Sequence, residues 1–278
     1  MSKTKPDQET PEGKELLVKG SRAMELPVDD DFADFANDGM QNVTAQDILV
    51  PRLTIIQALS PQLKKKDPNY IPGAEVGHIC DVGTGELFQD GILFLPVYYR
   101  KDYLEWAPRA SGGGLVNVHS DPKILDTCRP NDKKQPTTPE GNIIQETAQF
   151  YGFNISADFR PSFIPMASTQ LKKGRKWLTL AGSEKLHRGD GSSYTPPLWY
   201  RVYSLTTAEE SNSQGDWMGW KIERNVSMRE LDTIVHVDWQ ELKQKAVRFS
   251  EQLALGQARG DHDEPEAGVV EGTAEAAM

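Results

Sequence analysis

The sequence predicts a mainly β domain with helices, an α+β chain in which antiparallel strands form the body. Three observations lead there. Ile92 to Val97 is an apolar run of strand length, and beyond it the triple glycine Gly112-Gly113-Gly114 permits a reversal into a second apolar run, Leu115 to Val118, which makes a hairpin. Leu198 to Thr206 and Asp216 to Arg224 alternate around the polar stretch Glu210 to Gly215, a second hairpin. Helical periodicity is clear only in Ser168 to Ala181 and in the segment that follows Ser227.

Residues 1–45 are polar and acidic, with scattered proline and glycine and the run Asp29-Asp30-Asp31, and read as a disordered arm. Order is expected from residue 46, in a β-barrel domain extending to 226. In ILVPRLTIIQALSPQ, Pro51 opposes a helix while Leu53, Ile55 and Ile56 supply strand-like apolar mass. Lys64-Lys65-Lys66-Asp67-Pro68 is a basic loop. His78 to Val82, the turn Gly83-Thr84-Gly85 and Glu86 to Phe88 form another hairpin. Asp121 to Gly141 is proline-containing and too hydrophilic for the core, so it reads as a loop or insertion. Gln149 to Ala157 and Ser162 to Met166 resume strand composition, with Pro161 and Pro165 marking an edge or bulge.

Between Ser168 and Ala181, a period of 100° per residue gathers Leu171, Gly174, Trp177, Leu178 and Ala181 into one arc and leaves Lys172, Lys173, Arg175 and Lys176 outside it. The segment is therefore an amphipathic helix, with Ser168 or Thr169 as its cap. Gly182 to Pro197 reads as a loop. Ser227-Met228-Arg229-Glu230 is a capping-box pattern ahead of Leu231, Ile234, Val235, Trp239, Leu242, Ala246, Phe249 and Leu253, which places a C-terminal helical region over 227–256, as one helix or two with a break near Val237-Asp238. Gly256 ends it, and 257–278 reads as a disordered acidic tail.

Charge is unevenly distributed. Of the net −10, residues 1–50 carry −6 and residues 256–278 carry −5, which leaves the middle at +1. Within that neutral body, residues 170–188 hold six cations against Glu184 alone. No apolar run approaches the length of a membrane span, and the N-terminus has no signal-peptide core, so the expected setting is the cytoplasm with no membrane partner. Cys80 and Cys128 form neither a disulfide framework nor a zinc pattern.

The phosphate-loop, dinucleotide-binding, zinc-protease and serine-hydrolase signatures do not occur. The five histidines are scattered, and Asp261-His262-Asp263-Glu264 is a weak cation ligand set at most. The chain is read as a non-enzyme without catalytic residues, metal or cofactor. What remains is a surface chemistry. Arg100, Lys101, Tyr103, Trp106 and Arg109 follow the central apolar run; Lys172, Lys173, Arg175 and Lys176 line one helix face; Trp199, Arg201, Tyr203 and Lys221 belong to the second hairpin. Flat rings and cations together bind an unpaired nucleic-acid strand, by stacking on bases and neutralising phosphates. Half-buried hairpins with solvated charges are the plain alternative.

Val50-Pro51-Arg52-Leu53, Gln57, Ser60-Pro61-Gln62, Thr84-Gly85-Glu86, Phe94-Leu95-Pro96-Val97, Glu105-Trp106-Ala107-Pro108-Arg109 and Gly112-Gly113-Gly114 give the stretch from about 46 to 225 a further meaning. In these motifs it resembles a family of single-stranded DNA-binding proteins from tailed bacteriophages. That resemblance implies an OB-fold-like antiparallel β-barrel and a role in phage DNA replication or recombination in the host cytoplasm. The acidic tail is then suited to recruiting a polymerase, helicase or nuclease, although no aromatic follows Phe249 to anchor such a contact. Homo-oligomerisation stays open. The alternative from another class is a phage structural or assembly protein that uses the β-domain for subunit contacts.

Overall fold

The computed structural model describes residues 49–260, apart from Arg109, Ser111, Gln214, His236 and Arg259, together with Asp38. The expected acidic arm and most of the expected tail lie outside the described residues. The chain enters through β1 (Leu53–Ile55), which pairs antiparallel with β2 (Ile79–Asp81), itself paired with β3 (Leu87–Phe88). The turn between β2 and β3 is held by the Asp81 carboxylate, which accepts from the Gly83 and Thr84 N–H groups at 3.0 and 3.1 Å. The long strand β4 (Ile92–Trp106) then reverses through Gly112, Gly113 and Gly114, all at positive φ, into β5 (Leu115–His119).

The segment read as a loop or insertion holds a short helix, α1 (Ile124–Thr127), and the two-residue strands β6 (Arg129–Pro130) and β7 (Pro136–Thr137). Its polar side chains make the turn themselves, with Asn131 Oδ1 accepting from the Lys133 and Gln135 N–H groups. Strands β8 (Ile143–Asn154) and β9 (Arg160–Ala167) follow, then α2 (Leu171–Gly182), the small hairpin β10 (Leu186–His187) and β11 (Ser193–Tyr194), and the long hairpin β12 (Arg201–Asn212) and β13 (Gly215–Ser227). The chain closes with α3 (Met228–Val235) and α4 (Trp239–Ala254). The main sheet runs β13-β12-β4-β8-β7-β6, with β5 on β4 and β9 on β8, and every pairing is antiparallel. It curls into a half-barrel, an α+β architecture compatible with an OB-like fold.

Both faces of the sheet are covered, which is why the apolar run in β4 is continuous instead of alternating. Ile92 and Phe94 belong to the inner core, Leu93, Leu95 and Val97 to the outer one. A bulge between Pro96 and Tyr98 then resets the alternation, so that Tyr98 packs outward and Tyr99 inward. The inner face is filled by α2. Its Trp177 stacks on Phe150 with ring centroids 4.2 Å apart and meets Tyr203 edge-on at 5.4 Å; such pairs add about 0.5–1.5 kcal/mol beyond burial. Gly174 brings the helix close, since a Cβ there would lie 3.3 Å from Phe150 and 3.4 Å from Met166 Sδ. The helical arc read from the sequence is the buried one.

The cap is different from the expected one. A 3-10 turn, Ser168–Gln170, precedes α2 and neither Ser168 nor Thr169 caps by its side chain; Ser168 sits at φ 48°, and its carbonyl accepts from Leu171. On the outer face, α4 buries Leu242, Ala246, Phe249 and Leu253. The helix break falls where the sequence places it. Ser227 and Glu230 form a reciprocal capping box for α3, and Asp238 caps α4 by accepting from the Gln240 N–H at 2.8 Å. Order continues past Gly256, because Ala258 is buried in the outer core and Gly260 bridges Val50.

The small sheet β1-β2-β3 lies between the two edges of the curl. On the β9 side, the Phe163 N–H donates to the Pro51 carbonyl at 3.0 Å. On the β13 side the bond is made by a side chain: the Gln57 amide accepts from the Met218 N–H and donates to the Met218 carbonyl, both at 2.9 Å. The next outward-facing residue of β13 is satisfied in the same way, with Trp220 N–H donating to Gln170 Oε1 at 3.1 Å and Lys173 Nζ donating to the Trp220 carbonyl at 2.8 Å.

Candidate nucleic-acid interface

Docking α2 on the inner face leaves a groove of about 1210 Å³ between the outward side of that helix and the β12–β13 hairpin. Lys172, Lys173, Arg175, Lys176 and Lys221 line it together with Trp217. Five of the thirteen residues singled out by sequence therefore meet on one concave surface. They are not equivalent. Lys173 is committed to Glu210 and to the Trp220 carbonyl, Arg175 reaches Glu146 at 3.5 Å, and Lys221 pairs with Glu223 at 3.1 Å. Lys172 and Lys176 are exposed and, among the described residues, have no carboxylate partner. They stand one helical turn apart, a rise of about 6 Å.

Trp217 is not among the thirteen, although in β13 it stands four residues before Lys221 and lines the same groove. The strand register supplies what was missing: Trp217 lies opposite Glu210, and its Nε1 donates to Glu210 Oε2 at 3.0 Å. One carboxylate thus orients both the half-buried indole and Lys173 at the groove wall.

Of the other eight residues, the seven that are described lie elsewhere. Tyr103 is 6% exposed and Tyr203 fully buried beside Trp177, so neither ring offers a face to a base. Trp199 is not on a strand at all. Leu198–Tyr200 is a 3-10 turn, and Trp199 packs against the outer core. Trp106 ends β4, half-buried, with its buried Nε1 unpartnered among the described residues, away from the groove. Arg109 lies outside the described residues. Arg201 is held by Glu184 and by the Asn225 carbonyl at 2.8 Å.

Arg100 and Lys101 are engaged by carboxylates of the sheet, Asp102 and Glu146. Asp102, fully buried, accepts from Arg100 Nε at 2.6 Å and Gln149 Nε2 at 2.9 Å, and Tyr151 donates to Gln149. Burial pushes the Tyr151 hydroxyl up to about 12, so it stays a donor. Lys101 bonds Glu146 at 2.9 Å, which lowers the Glu146 carboxyl and raises the lysine. The bond from Asn142, then His119, holds Glu105 below the usual carboxylate range. Arg100–Asp102 and Tyr151–Gln149 join residues two apart along a strand, whereas Asp102–Gln149, Lys101–Glu146 and Glu105–Asn142 join residues far apart in the chain, and of these the sequence carries no sign.

Among the described residues no group of three or more His, Cys, Asp or Glu side chains is placed to hold a metal ion, and no helix is long and apolar enough to cross a membrane. Neither Cys80 nor Cys128 forms a disulfide among the described residues. Neither the curated proteins nor the solved structures include a match to the chain. The family model described as Pam3 phage gp34-like protein matches residues 19–255, a span that takes in every strand and helix described above and most of the sequence. The chain therefore belongs to the Pam3 phage gp34-like protein family.

Proposed function

We propose that this phage protein binds single-stranded DNA in the groove between α2 and the β12–β13 hairpin, without sequence preference and without catalysing a reaction, in phage DNA replication or recombination. The observation that carries the reading is the pair Lys172 and Lys176, two exposed cations without carboxylate partners among the described residues, at a spacing comparable to that of successive phosphates on an extended strand, beside the Trp217 indole. A ring accepts any base, so stacking ignores sequence, while the ammonium groups follow the backbone. The acidic C-terminal segment is the part of the chain suited to a basic partner surface, such as that of a polymerase, helicase or nuclease.

A titration of full-length protein with oligo-dT and with duplex of equal length, read by tryptophan fluorescence, tests this. Expected is binding to the single strand in preference to duplex, weakening with salt at a log–log slope of about −0.7 per phosphate contacted. No binding at low salt, together with formation of large oligomers, overturns it in favour of an assembly protein.

A further inference from the structure

We infer that the β10–β11 hairpin is a second contact for the same strand, a finger that receives it where it leaves the C-terminal end of α2. The inference rests on the groove reading and adds Lys185, Arg188 and Tyr194 to it. The exposed row Lys172, Lys176, Thr179 and Ser183 runs along α2, and the hairpin begins at Leu186, four residues after the helix ends. Ser183 and Leu180 at the groove's end accept from Arg224, which fixes the point from which the hairpin projects.

The finger is preorganised. Arg188 N–H donates to the Ser192 carbonyl at 2.8 Å, Gly191 takes φ 83°, and Asp190 accepts from the Ser192 N–H at 2.8 Å, so the only carboxylate at the tip is already engaged by the turn. The Arg188 guanidinium lies 4.8 Å from the Tyr194 ring centroid and remains exposed. A guanidinium held over an aromatic ring has lost much of its rotamer freedom beforehand, and beyond the Nη1 contact to Ser192 Oγ at 3.4 Å it keeps N–H groups for a phosphate. Lys185 Nζ is likewise positioned, by Thr195 Oγ1 at 2.5 Å, with no carboxylate partner among the described residues. Because the hairpin is exposed and packs little, its side chains are better explained by a ligand than by stability.

The experiment compares full-length protein with Arg188→Ala, Tyr194→Ala and Tyr194→Phe on oligo-dT of about four and about twelve nucleotides, a range that spans single binding-site sizes for such surfaces. Expected is a loss of about tenfold or more on the long oligomer for both alanine variants, little change on the short one, and recovery in Tyr194→Phe. Unchanged melting temperatures would accompany it. Wild-type binding that survives both alanine variants on both lengths overturns the finger and leaves the groove standing. Equal losses on both lengths place Arg188 and Tyr194 inside the groove contact and also overturn it, and absence of wild-type binding removes groove and finger together.

Discussion

Replacing Lys172 and Lys176 together by glutamine separates the groove's electrostatics from its architecture. Neither side chain has a carboxylate partner among the described residues, so their removal orphans nothing, and glutamine keeps nearly the helix propensity of lysine. Stability should therefore stay within about 0.5 kcal/mol of wild type. If each lysine neutralises one phosphate, the slope of log affinity against log salt becomes shallower by about 1.4. Between about 50 and 200 mM salt, wild type would then lose roughly sevenfold more affinity than the double variant. The assay is a fluorescence titration of oligo-dT at four salt concentrations, with a thermal melt of each variant. A folded double variant with an unchanged slope would refute the reasoning, because it would show that these two cations never meet the backbone.

Three further outcomes follow from the fold. Gln57→Ala removes both bonds to the Met218 backbone and should destabilise by ~1–3 kcal/mol in urea; a change below ~0.5 kcal/mol would mean the amide pairing is dispensable for closing the curl. Gly174→Val forces branched carbons against Phe150 and Met166, already 3.3–3.4 Å from where a Cβ would sit, and should cost ~1–3 kcal/mol, read by the same denaturation, whereas a stabilised variant would show that α2 is loosely docked. Glu105 titrates below its ordinary value in the folded state, through Asn142 and His119, so it stabilises the fold above the unfolded carboxyl value of about 4.3 and that contribution is lost as pH falls through the folded one. Glu105→Gln should flatten the stability–pH curve below that point; an unaltered curve in acid unfolding would remove Glu105 from the account.

What the sequence made legible was whatever is local. The period of Leu171, Gly174, Trp177, Leu178 and Ala181, the Ser227–Glu230 box, the Asp238 break and the Gly112–Gly114 reversal each depend on neighbours within a few positions, and each is present in the structure. The site was legible only as a composition. Whether a cation is available depends on who sits across the sheet, and Lys101–Glu146, Arg201–Glu184 and Lys173–Glu210 join residues that no spacing rule connects. Aromatic residues are obscured for the same reason: composition offers Tyr203 as a surface ring of the second hairpin, whereas its side chain lies in the inner core, covered by Trp177.

The side chains laid along β13 have a bearing on how this protein behaves in company. An open strand edge invites a strand from another chain, the first step of swapping or fibril growth. At Met218 and Trp220 that invitation is withdrawn by Gln57, Gln170 and Lys173, which occupy the outward donors and acceptors without adding a strand. Lys173 belongs to both the guard and the groove wall. Its replacement would expose a peptide carbonyl at a sheet edge while loosening Glu210 and Trp217, so a self-association defect and a binding defect would arrive together, and only Lys172 and Lys176 report on the groove alone.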